Sequence, residues 1–286
     1  MGNAVEIRGL CKKYSGFVLN NINFCIPEGF CCGLVGPNGA GKTTILKAMT
    51  GMIKADKGEI YLLDQPCGAP VREELGILFD QPYFQEDWTP LDIERSMKPF
   101  YRNWDTEVYQ NLLNRFSLDP KKKFKKFSNG MKQKLAMAVH FSHKSKLLLL
   151  DEPTSGLDPA ARDEMLDLMR EYLLKEGRTI LFSTHITSDL ERLADFILYI
   201  SHGNLIFFGE KDEFTGSYCI VRGRKIPKEK RKWAIGLREY DSGFECLMEL
   251  SKIGGLPKDV VTERATIHDV IVFMERRLYN VSDNKT

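Results

Sequence analysis

The segment Gly36-Pro-Asn-Gly-Ala-Gly41-Lys42-Thr43-Thr44 constrains this chain more than any other. It fits G-x-x-x-x-G-K-[ST]. A compact apolar run at 30–35 precedes it and an apolar-periodic stretch at 43–49 follows, so the loop joins a strand to a helix. Glycines there let backbone N–H groups close around phosphate oxygens without side-chain clash. The N-terminus of the following helix adds partial positive charge. Lys42 supplies a point charge for β- and γ-phosphates, and the Thr43 hydroxyl suits Mg²⁺. Gly36, Pro37, Asn38, Gly39, Ala40, Gly41, Lys42, Thr43 and Thr44 are therefore expected to hold MgATP.

The rest of the pattern alternates strand and helix, which predicts an α/β fold around a largely parallel sheet. Extended segments are expected at 5–7, 18–26, 59–63, 75–79, 147–152, 179–185 and 196–201, and helices at 129–142, 159–175 and 188–194. Residues 88–116 turn helical and rich in aromatics, so 89–140 is expected to be a helical subdomain inserted into the alternation. Composition changes near Gly216, where a basic stretch at 222–233 begins. This places an ATP-binding domain at 1–216 and a small α/β appendage at 217–286.

Asp151 ends the leucine run 147–150, where a carboxylate reaches a Mg²⁺ shell, and Glu152 follows as a general base for water. Helix capping is the competing reading for this pair. Three more segments complete a set: Phe127-Ser128-Asn129-Gly130-Met131-Lys132-Gln133, Ser155-Gly-Leu-Asp158-Pro159 and Ser183-Thr184-His185. Their order and spacing resemble the ATPases of ABC transporters over roughly residues 4–212.

The resemblance implies a P-loop NTPase core with an antiparallel β subdomain and the inserted helical subdomain; the small C-terminal α/β appendage lies beyond the part that it covers. It implies a head-to-tail nucleotide-sandwich dimer, in which Ser128 and Gly130 contact the γ-phosphate in the partner's site. His185 contacts the γ-phosphate and orients the water or Glu152, Asp158 contacts the partner subunit, and Tyr14 stacks on adenine. Two departures stand out. The signature reads FSNGM instead of LSGGQ. At the Q-loop, Asp80 falls in register with Gln81 one position late, and Asp80 is favoured as an oxygen ligand of Mg²⁺.

The softer similarity of 100–105 (FYRNWD), the signature and 188–195 (SDLERLAD) is to bacterial exporters of antimicrobial peptides and phenol-soluble modulins. That resemblance implies separate integral-membrane subunits, an ATPase homodimer, peripheral contact with the membrane, and a place on the cytoplasmic face of a bacterial plasma membrane. The aromatics at 83–104 offer a docking surface for a membrane subunit, or a core for the subdomain. Lysines at 121–126 suit anionic headgroups, or a solvated loop. A net charge of +2 gives no overall field for nucleic acid. Seven cysteines, odd in number and without C-x-x-C, read as reduced thiols. No run approaches a membrane span, and 1–10 carries no secretory signal. A ribosome- or DNA-acting ATPase of this family is disfavoured by the single cassette and the absence of a coiled-coil insertion. A non-catalytic sensor is disfavoured by the presence of both Glu152 and His185.

Overall fold

The computed structural model describes residues 2–79, 84–257 and 259–283. It divides into two compact units, Met1–Phe208 and Gly209–Thr286. In the first unit β1 (Asn3–Tyr14) and β2 (Phe17–Pro27) form an antiparallel hairpin, followed by β3 (Cys31–Val35) and α1 (Lys42–Met49). Next come β4 (Lys57–Leu62), β5 (Gln65–Pro66), β6 (Leu75–Leu78), α2 (Pro90–Met97), α3 (Thr106–Arg115) and α4 (Asn129–Ser142). Then follow β7 (Leu147–Asp151), α5 (Pro159–Leu173), β8 (Thr179–Ser183), α6 (Thr187–Leu193), β9 (Phe196–Ser201) and β10 (Asn204–Glu210).

Two sheets result. The antiparallel one runs β2-β1-β4-β5, and the larger one runs β10-β9-β3-β8-β7-β6. In the larger sheet β3, β6, β7, β8 and β9 pair in parallel. Strands β3, β7 and β8 are buried at every position, which explains why they read as unbroken apolar runs. Ile45, Leu46 and Met49 of α1 share one core cluster with Leu147, Leu149, Leu181 and Leu198, so the helix after the glycine loop is clamped onto the sheet.

The helical reading of 88–116 divides in two. Thr89 caps α2 through a capping box with Asp92, and Pro99 follows where the helix stops. Asp105 then caps α3, accepting from the N–H groups of Glu107 and Val108. Helix α4 spans the expected residues and α5 ends two positions early.

The second unit holds α7 (Lys211–Gly216), β11 (Tyr218–Gly223), β12 (Ile235–Tyr240), β13 (Gly243–Glu249), β14 (Val261–Arg264) and α8 (Ile267–Asp283). Its sheet runs β12-β13-β11-β14 and is antiparallel throughout. Cys219, Val221, Phe244, Cys246 and Met248 make its core.

Candidate nucleotide site

The site forms where β3, β7 and β8 end. Their parallel register brings three carboxyl-terminal strand ends to one edge, the usual place for ligands on such sheets. The second unit holds an open cleft of about 570 Å³, and the strand ends here line one of about 550 Å³. Gly16, Phe17, Asn38, Gly39, Gly41, Lys42, Thr43, Thr44, Asp151 and Glu152 line the latter. Its acids and its lysine face one another, which marks it as the chemical site.

Two glycines are sterically required. At Gly36 a Cβ would lie 2.0 Å from the Ile200 carbonyl oxygen. Gly41 caps α1 at φ +112, and a Cβ there would meet the Phe17 ring at 2.9 Å. The Lys42 ammonium is buried and donates to the carbonyls of Gly36 (2.7 Å) and Pro37 (3.2 Å). Burial lowers its pKa, opposed by the negative charges of Glu152 and Asp151.

Thr43 Oγ1 donates to Asp151 Oδ2 at 2.8 Å. Ser183 Oγ donates to Asp151 Oδ1 at 2.5 Å. Thr43 and Asp151 thus offer clustered oxygen donors, the chemistry that a hard divalent cation selects. Glu152 adopts φ +52, a left-handed conformation that costs on the order of 1 to 3 kcal/mol in a residue other than glycine. That turn swings its carboxylate onto His185, with Oε2 2.7 Å from Nδ1. The His185 ring is half exposed, whereas the Glu152 side chain is mostly covered.

Tyr14 ends β1 at the rim. It is 42% exposed and stacks on Phe17 with ring centroids 6.5 Å apart. Phe17, which lines the cleft, and Ser183 were not among the sequence candidates. The Tyr14-x-x-Phe17 spacing at a hairpin turn signalled the former, and the Ser183-Thr184-His185 segment contained the latter without giving the serine a role.

Ser128 caps α4, its hydroxyl accepting from the Met131 N–H at 3.3 Å. A Cβ on Gly130 would come within 3.1 Å of Leu157, so the signature abuts the Ser155–Asp158 turn. Asp158 caps α5 through the Ala161 N–H. Among the described residues, Ser128, Gly130 and Asp158 are absent from the cleft that Lys42 and Glu152 line. Asp80, Gln81 and Tyr83 lie outside the described residues.

In the helical subdomain Tyr109 is fully buried, Trp104 packs on it, Tyr101 stacks on His143, and Phe84 meets Phe124 edge-on. Phe100 alone among these is largely exposed, at 73%. The lysine loop is anchored by buried Phe124 and Phe127. Lys123 and Lys125 both pair with Asp87, whose carboxyl they hold down at about 2. Two of its five lysines thus share one carboxylate, which offsets one of the five positive charges.

The family profile described as ABC transporter matches residues 19–155. The chain is 36% identical over 233 residues to the lantibiotic transport ATP-binding protein SrtF of Streptococcus pyogenes, covering 80% of this chain and all of that one. The chain belongs to the ABC transporter ATP-binding proteins. It is thus the nucleotide-binding ATPase subunit of a transporter, a kind of subunit that works with membrane subunits. It is also 35% identical over 273 residues to YxlF of Bacillus subtilis, an uncharacterized ABC transporter ATP-binding protein, covering 93% and 91% of the two chains. The Nod factor export ATP-binding protein I of Rhizobium sp. (strain N33) is 34% identical over 218 residues, covering 72% and 70%. A solved ATP-binding subunit of an ABC transporter superposes with a TM-score of 0.68 at 28% identity, covering 74% of this chain and 92% of that one. Among the described residues no helix is long and apolar enough to cross a membrane.

Proposed function

We propose that this chain is the motor of a bacterial exporter of amphipathic peptides or drug-like molecules, acting as a head-to-tail homodimer on the cytoplasmic face of the plasma membrane. One observation carries the dimer. The signature residues Ser128 and Gly130 are not on the cleft that the glycine loop lines, so one chain by itself leaves the site incomplete. A second copy supplies them, with Ser128 and the N-terminus of α4 placed to meet a γ-phosphate. Asp158, beside the signature, meets the partner subunit in the same arrangement.

Within each site Gly36 to Thr44 cradle the phosphates, and Tyr14 with Phe17 faces the adenine. Thr43 and Asp151 would hold Mg²⁺, which would screen phosphate charge. Glu152 accepts the proton of the attacking water, and His185 orients its carboxylate through the 2.7 Å contact. The peptide cargo is supported by the similarity to a lantibiotic transport protein along its whole length. Phe100 is the exposed aromatic of the helical subdomain that suits docking of a membrane subunit.

The test is the Glu152→Gln variant, sized by light scattering with and without MgATP. Binding without turnover converts it from monomer to dimer, while wild type hydrolyses ATP with a rate that rises faster than linearly with concentration. A variant that keeps wild-type turnover, or stays monomeric with saturating ATP, overturns the proposal.

A further inference from the structure

We propose that Ser183 is the positioning residue for both acidic side chains of the ATPase site. Its hydroxyl holds the Asp151 carboxylate and the Glu152 backbone in one hydrogen-bonded unit. The inference rests on the roles given above to Asp151 and Glu152, and it deepens them.

Asp151 and Ser183 are register partners at the ends of β7 and β8. Ser183 is fully buried. Its hydroxyl proton goes to Asp151 Oδ1 at 2.5 Å, and its lone pair accepts the Glu152 N–H at 3.0 Å. A hydroxyl has one proton to give, so donating to the carboxylate leaves it free to accept from the amide, and the two bonds are mutually consistent. The Ser183 carbonyl accepts the same N–H at 3.2 Å. Ser183 itself has no exposed surface, so these bonds are made inside the protein, where an unpaired polar group is costly.

Two consequences follow for the chemistry. Asp151 has one oxygen committed to Ser183 and the other to Thr43 Oγ1, so the plane of the carboxylate is set from both sides. The peptide that leads into Glu152 is anchored at its N–H, and the left-handed turn at φ +52 starts from that anchored plane. Glu152 then reaches His185 at 2.7 Å. One buried hydroxyl thus sets the aim of the metal-side acid and of the base. Alanine at 183 is a clean perturbation, because the strand pairing and the carbonyl acceptor remain.

The test uses the full chain, with Ser183→Ala, Ser183→Thr and Glu152→Gln side by side. Steady-state ATPase rates, affinity for a fluorescent ATP analogue with and without Mg²⁺, and thermal midpoints are measured. Misaiming a catalytic group by a fraction of an ångström costs roughly ten- to a hundredfold in rate. Ser183→Ala is therefore expected to lose kcat by that factor, with KM for MgATP rising only by the Mg²⁺-dependent affinity that is lost. Its metal-free nucleotide affinity should stay at the wild-type value, while the gain in affinity on adding Mg²⁺ shrinks. Ser183→Thr, which keeps the hydroxyl, should recover most of the rate. Wild-type kcat in Ser183→Ala beside an inactive Glu152→Gln overturns the Ser183 proposal alone. A parallel fall of rate, metal-free affinity and thermal midpoint in both Ser183 variants also overturns it, since that pattern is a packing defect. An active Glu152→Gln overturns the role of Glu152 and with it this proposal.

Discussion

Lowering the pH from 7 to 5 should destabilise the first unit through His143, by an amount that the structure sets. His143 is the C-cap of α4 and is 1% exposed, stacked on Tyr101 with ring centroids 4.1 Å apart. Neither ring nitrogen has a hydrogen-bond partner among the described residues. A positive charge at a helix C-terminus is ordinarily favoured, but here burial wins and pushes the pKa down to about 4, helped by the positive charge of Arg178. The ring is neutral in the folded chain and titrates at about 6.5 in the unfolded one. Protons therefore bind the unfolded state first, so stability is full above about pH 6.5 and is lost as the pH falls toward 4. At pH 5 this group alone costs about 2 kcal/mol relative to pH 7. His140 nearby is pushed down to about 3 by burial and by His143, and adds a loss of the same sign. Asp87, held down at about 2 by Lys125 and Lys123, has the usual carboxylate sense. Its contribution is lost only as the pH falls below the ordinary aspartate range, outside this window. The discriminating variant is His143→Phe, which keeps a ring against Tyr101 and removes the titrating group. Urea unfolding followed at pH 7 and pH 5 should show wild type losing about 2 kcal/mol more than the variant. Equal losses in the two proteins would refute the reasoning.

Two further outcomes are expected. Asp189 is fully buried, accepting from Thr154 Oγ1 at 2.6 Å and from Arg162 Nε at 2.7 Å, so it ties the start of α5 and the Glu152 turn to α6. Asp189→Ala should lower unfolding stability by about 3 kcal/mol, read from denaturant midpoints, and Asp189→Asn by clearly less; a silent alanine would remove that tie. At the Q-loop, Asp80→Ala in the assembled transporter should lower turnover and shift the Mg²⁺ optimum, while Asp80→Gln keeps activity and Gln81→Ala does little. A crippled Gln81→Ala beside a silent Asp80→Ala would move the register by one residue.

The motif-bearing ends of β3, β7 and β8 were legible because chemistry and periodicity coincide there. A glycine loop, a leucine run ending in two acids, and a strand ending in Ser-Thr-His each carry their own punctuation. Helix α4 was legible for a similar reason, since Ser128 supplies the cap and 129–142 the apolar spacing. The division of 88–116 was obscured by aromatics that continue across it, although Pro99 and the capping Asp105 mark the break. Ser183 stands in the legible Ser-Thr-His segment, but its role could not be read from spacing. Its partners lie 32 and 31 residues away, and only the register of β7 against β8 brings them together. Phe17 was hidden because its neighbour Tyr14 carried the family resemblance, while the hairpin geometry decides which ring faces the cleft.

Strand β3 pairs on one side with β8 and on the other with β9. Both partners lie far downstream, beginning at Thr179 and Phe196. On a ribosome moving at about 5 to 20 residues per second, Cys31–Val35 would wait roughly ten to thirty seconds with two open edges. That five-residue apolar segment is an exposed template for wrong pairing throughout the interval. The glycine loop hangs from its end, so the nascent chain acquires its grip on ATP only when about its first two thirds have emerged. Nucleotide binding then reports completion of the central sheet, and chains halted before Phe196 should go to chaperones rather than to ATP.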